Sequence, residues 1–176
     1  MNKAIFLDRD GTINVDNGYV HKKEDFKLLG GVVEGLKLLQ DNGFLLIIIT
    51  NQSGIARGMF SEAKYLEFQD WIAEELAKRD VKINATYYCP HMDEDECTCR
   101  KPKLALFEQA AQEWEIDWEE SYAIGDNERD LKICTSTATK GYLISHERNK
   151  NILEPEICIV KSLWEAAYRI CMKRED

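Results

Sequence analysis

The chain has 176 residues, of which 44% are hydrophobic, and its 23 Lys and Arg residues oppose 32 Asp and Glu residues for a net charge of −9. This composition excludes a disordered chain, and the length suits one domain with a sizeable core. The acidic balance excludes nucleic acid and acidic membrane surfaces as general partners, because both require a basic protein. The chain also lacks an apolar run near the roughly 18 residues of a membrane span and a signal-peptide pattern at its start. We therefore expect a single domain over residues 1–176 that is cytoplasmic and monomeric.

Short apolar runs alternate with helical patterns along the chain. The predicted elements are a strand at 4–7, a helix at 32–42, an isoleucine-rich strand at 44–49, a helix capped by Ser61 and ending near Arg79, a strand at 85–88, a helix at 104–115, a strand at 122–124, a helix at 128–135, strands at 142–145 and 157–160, and a last helix that begins with a Ser162/Glu165 capping box. Strands separated by single helices predict parallel βαβ units. The fold class is therefore α/β, with a doubly wound parallel sheet of the Rossmann-like type.

Polar residues follow four of the predicted strands directly. They are Asp8-Arg9-Asp10-Gly11-Thr12, Thr50-Asn51-Gln52-Ser53-Gly54, a Cys/His-rich loop ending in Arg100-Lys101, and Gly125-Asp126-Asn127 with Asp130 close behind. Ligands of open parallel sheets bind beyond the carboxyl ends of the strands, so these residues should share one rim. Turn formation and helix capping would explain any one of these groups, but not the coincidence of all four.

The residue types at this rim are those that phosphoryl transfer requires. Carboxylates that meet at one point repel one another unless a cation is present, and oxygen ligands suit Mg²⁺. A carboxylate beside the metal can attack phosphorus, and a second acid two residues on can protonate the leaving oxygen. Thr50 offers a hydroxyl group and Lys101 a positive charge to the oxygens of the phosphoryl group.

Three of the six cysteines lie within eleven residues, together with one histidine: Cys89, His91, Cys97 and Cys99. Without a secretion signal, such crowding indicates a metal site rather than disulfides, although free cysteines in a reducing compartment are the alternative. Cys-x-His followed by Cys-x-Cys supplies the four ligands of a closed structural zinc site. Zinc would fold the loop and direct Arg100 and Lys101. We expect the scattered Cys134, Cys158 and Cys171 to be buried thiols.

The order Asp8-x-Asp10-Gly11-Thr12, Thr50, Lys101 and Gly125-Asp126 resembles the four motifs of the haloacid dehalogenase superfamily. Residues 6–14, 16–21 and 50–58, and Cys89-Pro90-His91 leading to 97–102, resemble more closely the D-glycero-D-manno-heptose 1,7-bisphosphate 7-phosphatases. This resemblance implies a Mg²⁺-dependent phosphatase that acts on a small phosphorylated sugar through an aspartyl-phosphate. It also implies a place in the synthesis of nucleotide-activated heptose for lipopolysaccharide or another surface glycan.

The resemblance further implies roles for individual residues. Asp8 would form the phosphoaspartate, Asp10 would be the general acid and base, and Thr50 and Lys101 would hold the phosphoryl group. Mg²⁺ would bind the Asp8 carboxylate, the Asp10 backbone carbonyl and Asp126. The residues implied to line the substrate site are Asp16, Asn17, Gly18, Tyr19, Thr50, Asn51, Gln52, Ser53 and Arg100.

Arg57 and Asn127 are predicted as two further pocket residues from their chemistry. Arg57 and Arg100 are candidates for binding a second anionic group of the substrate. Enterobacterial relatives often carry Lys after the fourth-motif Asp, where this chain has Asn127, an uncharged amide that can still hydrogen-bond phosphate. Polar loop residues and these arginines favour a sugar bisphosphate as the substrate, although Asp16 would also suit an amine.

Several alternatives stay open at the level of sequence. Histidinol-phosphate phosphatases share the motifs and the metal loop, and the five residues between His91 and Cys97 resemble their loop length. A Mg²⁺-binding receiver-like signalling domain and a zinc-organised binding module are the non-enzymatic alternatives, which hydrolysis of p-nitrophenyl phosphate would exclude. No insertion of domain size separates Thr12 from Thr50 or Gly58 from Lys101, so we expect no cap domain.

Overall fold

The structure is a computed structural model that describes residues 1–145 and 155–172. Its elements are the strands β1 (Ala4–Leu7), β2 (Leu45–Asn51), β3 (Ala85–Cys89), β4 (Tyr122–Gly125), β5 (Lys140–Ile144) and β6 (Ile157–Val160), and the helices α1 (Val32–Asp41), α2 (Glu62–Ala77), α3 (Ala105–Trp114) and α4 (Leu163–Met172). All strand pairs are parallel, in the order β3-β2-β1-β4-β5-β6. The predicted doubly wound α/β sheet is confirmed. Because the order reverses between β1 and β4, a crevice opens at their carboxyl ends.

Side chains of the strands alternate between two buried layers. Ile5 and Leu7 pack in the layer that contains α1, α2 and α4. Ala4 and Phe6 point the other way, into the layer of α3 and the 3₁₀ segment Glu128–Thr135. Burial on both faces explains why the strands read as continuous apolar runs. The rigid sheet thereby fixes where each strand delivers its polar end.

The ends of the predicted elements shift by at most two residues, and the structure differs from prediction in kind at two helices. The segment predicted as a helix at 128–135 is a 3₁₀ helix. At α4, Ser162 Oγ accepts from the Glu165 N–H at 3.1 Å, as expected for a capping box. The Glu165 side chain, however, accepts from the Lys161 N–H at 2.8 Å, one residue before the expected partner.

The scattered cysteines are not uniformly buried. Cys134 is buried in the layer of α3, whereas Cys158 is exposed. Cys158 lies on β6, which is an edge strand of the sheet among the residues that the structure describes. The prediction of burial is therefore wrong for Cys158.

In the part of the chain that the structure describes, no second domain covers the carboxyl edge of the sheet. Between β1 and β2 the chain forms loops, one 3₁₀ turn and α1, and between β2 and β3 it forms loops and α2. The expected absence of a cap domain agrees with this arrangement. None of the helices in the described ranges is both long and apolar enough to cross a membrane.

Candidate active site

A polar pocket of about 350 Å³ opens at the carboxyl ends of β1, β2 and β4. It is lined by Asp8, Asp10, Asp16, Gly18, Tyr19, Thr50, Asn51, Gln52, Ser53, Arg57, Arg100, Lys101, Asp126, Asn127 and Arg129. The structure thus brings together nearly all residues predicted for catalysis, Mg²⁺ and substrate. Asn17 differs from them, because it lies outside this lining.

Lys101 is a buried ammonium group at the floor of the pocket. Its Nζ donates to Asp8 Oδ1 at 2.7 Å and to the carbonyl of Ile49 at 2.5 Å, and it lies 2.8 Å from Asp130 Oδ1. Burial alone would lower the pKa of Lys101, but the charges of Asp130 and Asp8 outweigh burial and raise it. Lys101 therefore stays positively charged where a phosphoryl group would bind.

Asp8, Asp126 and Asp130 place carboxylate oxygens within 4.8 Å of one another. Burial and, next, the charge of Asp130 raise the pKa of Asp8 to about 7 and that of Asp126 to about 6. Both oxygens of Asp130 are engaged, Oδ1 by Lys101 and Oδ2 by the Asn127 N–H at 3.0 Å. Oxygen donors with unbalanced negative charge are the ligands that Mg²⁺ prefers. The cluster therefore fits this ion, with Asp8 and Asp126 as the freer ligands.

Gly11 allows the backbone to pass directly beneath the Asp126 carboxylate. Its φ is +86°, and a Cβ atom on Gly11 would lie 2.2 Å from Asp126 Oδ2. A side chain at this position is therefore excluded by both backbone conformation and space.

Three side chains hold the Asp10 carboxylate. The fully buried Arg9 donates to Asp10 Oδ1 through Nε at 3.2 Å and through Nη2 at 2.8 Å, and Nη2 also reaches Oδ2 at 2.8 Å. Asn14 Nδ2 donates to Oδ1 at 2.9 Å. Gln52 Nε2 donates to Asp10 Oδ2 and to Thr50 Oγ1, both at 3.0 Å. The second acid of the motif is thus fixed by a network that also positions Thr50.

The four predicted zinc ligands converge at the end of β3 and in the loop that follows it: Cys89, His91, Cys97 and Cys99. The Sγ atoms of Cys89 and Cys99 are 3.2 Å apart, and Cys89 Sγ is 3.6 Å from His91 Nδ1. A tetrahedron around zinc, with Zn–S near 2.3 Å, has edges of about 3.8 Å. The donor types and their spacing therefore fit a tetrahedral metal site that only small adjustments would complete.

The metal loop is tied to the pocket by hydrogen bonds. The Arg100 guanidinium pairs with Asp93 and donates to the His91 carbonyl at 3.3 Å. Asn51 Nδ2 donates to the Lys101 carbonyl at 3.1 Å, and the Lys101 N–H donates to Asn51 Oδ1 at 3.0 Å. Both ends of the Asn51 amide are therefore used in positioning Lys101.

The loop after β1 forms the opposite wall of the pocket. Gly18 and Tyr19 are both left-handed, with φ of +79° and +52°, and Asp16 Oδ1 accepts from the Gly18 N–H at 2.9 Å. The Arg57 guanidinium lies 5.9 Å from the centroid of the Tyr19 ring. This wall presents an aromatic ring and a cation to a bound molecule.

Sequence reasoning did not assign site roles to three residues. Asp130 pairs with Lys101, and its spacing of four residues from Asp126 was the available signal. Arg9 holds Asp10, and its place between two acids of the first motif was the signal. Arg129 lines the pocket, but no sequence pattern distinguished it from other charged residues.

Comparison with known proteins supports a phosphatase site. Residues 3–148 match the family described as polynucleotide kinase 3 phosphatase. The chain is 49% identical over 138 residues to the D-glycero-beta-D-manno-heptose-1,7-bisphosphate 7-phosphatase of Haemophilus influenzae, covering 75% of each protein. It is 42% identical over 146 residues to the protein of the same name from Escherichia coli K12, covering 78% of this chain and 76% of that protein.

The fold is also similar to a solved structure. The D,D-heptose 1,7-bisphosphate phosphatase of B. bronchiseptica, crystallised with magnesium and phosphate, superposes with a TM-score of 0.87 at 27% identity. The similarity covers 97% of this chain and 99% of the other.

Proposed function

The chain belongs to the family of the D-glycero-beta-D-manno-heptose-1,7-bisphosphate 7-phosphatases, within the haloacid dehalogenase superfamily, and from this premise we propose that it removes the 7-phosphate of that heptose bisphosphate. It is a phosphoric monoester hydrolase. The observation that carries the proposal is the convergence of the four motifs on one pocket in a chain 49% identical to such a phosphatase.

In this mechanism the Asp8 carboxylate attacks phosphorus, so that a bond forms between phosphorus and Asp8 while the bond to the O7 oxygen of the sugar breaks. Asp10 gives a proton to O7 as the sugar leaves. Asp10 then takes a proton from water as the water oxygen bonds to phosphorus, while the bond between phosphorus and Asp8 breaks, which releases inorganic phosphate and restores the Asp8 carboxylate. Lys101 and Thr50 hold the oxygens of the phosphoryl group throughout both steps.

Asp8, Asp126 and the backbone carbonyl of Asp10 are the groups that would hold Mg²⁺. When bound, the ion neutralises the developing charge on the phosphoryl oxygens and balances the carboxylates. Asp130 is not assigned to the metal, because both of its carboxylate oxygens are already engaged. Its role is to hold Lys101 in place. The two acids assigned as Mg²⁺ ligands are thus the two whose pKa values are raised, Asp8 to about 7 and Asp126 to about 6.

The loop after β3 would carry a structural zinc ion on Cys89, His91, Cys97 and Cys99. Zinc would not contribute to the chemistry, since all four ligand positions are taken by protein. It would instead hold Arg100 and Lys101 at the pocket. We place the reaction in the cytoplasm, in the synthesis of nucleotide-activated heptose, with the enzyme acting as a monomer.

A comparison of substrates tests this function. Heptose 1,7-bisphosphate and histidinol phosphate are assayed side by side with saturating Mg²⁺, and the released phosphate is measured. We expect kcat/KM to favour the bisphosphate by about tenfold or more, since one charge-assisted contact to a second phosphate supplies that much. Phosphorus NMR of the product should show heptose 1-phosphate. A preference for histidinol phosphate, or release of the 1-phosphate, would exclude the proposed reaction.

A further inference from the structure

Three arginines from three separate segments line the pocket. Arg57 lies in the loop after β2, Arg100 at the end of the metal loop after β3, and Arg129 in the 3₁₀ segment after β4. The chain is acidic overall, with a net charge of −9. A concentration of guanidinium groups at one rim of such a chain calls for an anionic ligand.

Salt bridges within the protein neutralise only part of this positive charge, and the rest is available to bind an anion. Within residues 1–145 and 155–172, neither Arg57 nor Arg129 takes part in a salt bridge, and Arg100 pairs with Asp93. The Asp93 side chain is 78% exposed, so water and incoming ligands compete for that pair. All three arginines line the same pocket, so their positive charges act together on an anion bound there.

Arg129 supplies the charge that Asn127 lacks. Asn127 Oδ1 accepts from the Arg129 N–H at 3.2 Å, so this amide caps the 3₁₀ segment. Arg129 is exposed and lines the pocket. The positive charge near the fourth motif is therefore carried by Arg129, two residues after Asn127.

We propose that Arg129 is a specificity-determining residue that, together with Arg57 and Arg100, binds the substrate phosphate that is not transferred. This inference rests on the proposed function, because it requires a substrate with two phosphates. The negative charges of Asp8, Asp126 and Asp130 at the floor of the pocket balance the positive charges of Lys101 and of a bound Mg²⁺. Neither of these cations is therefore available to a second phosphate. The rim arginines meet that need.

The test uses two substrate pairs whose members differ only in the second phosphate: heptose 1,7-bisphosphate against heptose 7-phosphate, and fructose 1,6-bisphosphate against fructose 6-phosphate. Arg129→Gln should raise KM for both bisphosphates about tenfold, with kcat within about twofold and monophosphate kinetics unchanged. Arg129→Lys should recover part of the loss. Lys132→Gln is the matched control, because Lys132 is an exposed cation of the same segment outside the pocket lining.

The outcomes separate this inference from the proposed function. Equal losses on both members of a pair, or an unchanged KM, would overturn the role of Arg129. A wild-type enzyme that does not distinguish bisphosphate from monophosphate in either pair would also overturn it. If the wild type preferred histidinol phosphate to the heptose substrate, the proposed function would fail, while the fructose pair would still decide whether Arg129 binds a second phosphate.

Discussion

Asp8 and Asp10 are separated by one residue, yet their surroundings are opposite. Asp8 faces two other carboxylates, and its negative charge is paired with the ammonium group of Lys101. The Asp10 carboxylate instead accepts hydrogen bonds from Arg9, Asn14 and Gln52. The same motif therefore presents one group suited to nucleophilic attack and another whose carboxylate is held in a fixed orientation.

This difference predicts distinct outcomes for the two amide substitutions. Asp8→Asn should abolish turnover, because an amide is a poor nucleophile and a weaker metal ligand. Asp10→Asn should keep phosphate binding but lower kcat by about 10²–10⁴-fold on the sugar substrate, through loss of proton transfer. The loss should be smaller for p-nitrophenyl phosphate, whose leaving group departs without a proton. Asp41→Asn, at an exposed helix end, is the control. Substantial activity in Asp8→Asn would exclude the aspartyl-phosphate.

The raised pKa values of Asp8 and Asp126, about 7 and about 6, predict how Mg²⁺ affinity depends on pH. Below these values the acids hold protons that the ion must displace, so affinity should rise as the pH increases from 6 to 8, by about tenfold or more. Up to about pH 7 the folded metal-free protein binds more protons than the unfolded chain does. The free energy of unfolding of the metal-free protein should therefore fall as the pH rises towards 7. Calorimetric titration and thermal melts measure both trends. An affinity independent of pH would contradict the assignment of these acids.

Gly11 offers a test of close packing beneath Asp126. Gly11→Ala introduces an unfavourable left-handed alanine, at about 1 kcal/mol, and also a Cβ atom 2.2 Å from Asp126 Oδ2. Gly58→Ala is the matched control, because Gly58 has φ of +70° with nothing within 4 Å. Both variants should lose similar backbone stability, but only Gly11→Ala should lose most activity and Mg²⁺ affinity. Equal activities would show that Asp126 can move aside without consequence.

At the scale of elements, the loop between β3 and α3 does more than connect them. Its cysteines and histidine gather at one end, and Arg100 and Lys101 follow directly. The Lys103 ammonium donates to the Cys97 carbonyl, and Arg100 donates to the His91 carbonyl, so the backbone around the metal ligands holds the basic side chains. Folding of this loop and placement of Lys101 are therefore coupled.

We therefore predict that Cys97→Ser lowers both stability and activity. Loss of one thiolate should weaken zinc binding and lower Tm by several degrees, and KM should rise as the Arg100 and Lys101 segment loosens. Elemental analysis, thermal melts and kinetics measure these effects. Cys158→Ser, an exposed cysteine on β6, should leave all three unchanged. Absence of zinc from protein purified without chelators would contradict the structural metal site.

At the scale of the whole molecule, the sequence was most informative where one physical rule decides the outcome. Alternation of apolar runs with helical patterns requires parallel crossovers, and the carboxyl ends of parallel strands meet at one edge, so the pocket followed. The place of Asn17 outside the pocket lining and that of Arg129 within it could not be predicted, because the direction of a loop side chain depends on local turns, here the left-handed Gly18 and Tyr19 and the cap at Asn127. Cys158 was misjudged because the spatial order of strands, which makes β6 an edge, is not written in any local pattern.

The two proposed metal sites differ in how they are joined to the fold, which predicts two separable effects of chelation. The acids that would hold Mg²⁺ line an open pocket, whereas the Cys/His set closes a loop on itself. Brief treatment with EDTA should therefore abolish activity reversibly, with zinc content still near one per chain and Tm lowered only by the few degrees expected from loss of a ligand. Added Mg²⁺ should restore activity fully. Simultaneous loss of zinc, activity and the folded state under the same mild treatment would show that one metal serves both roles.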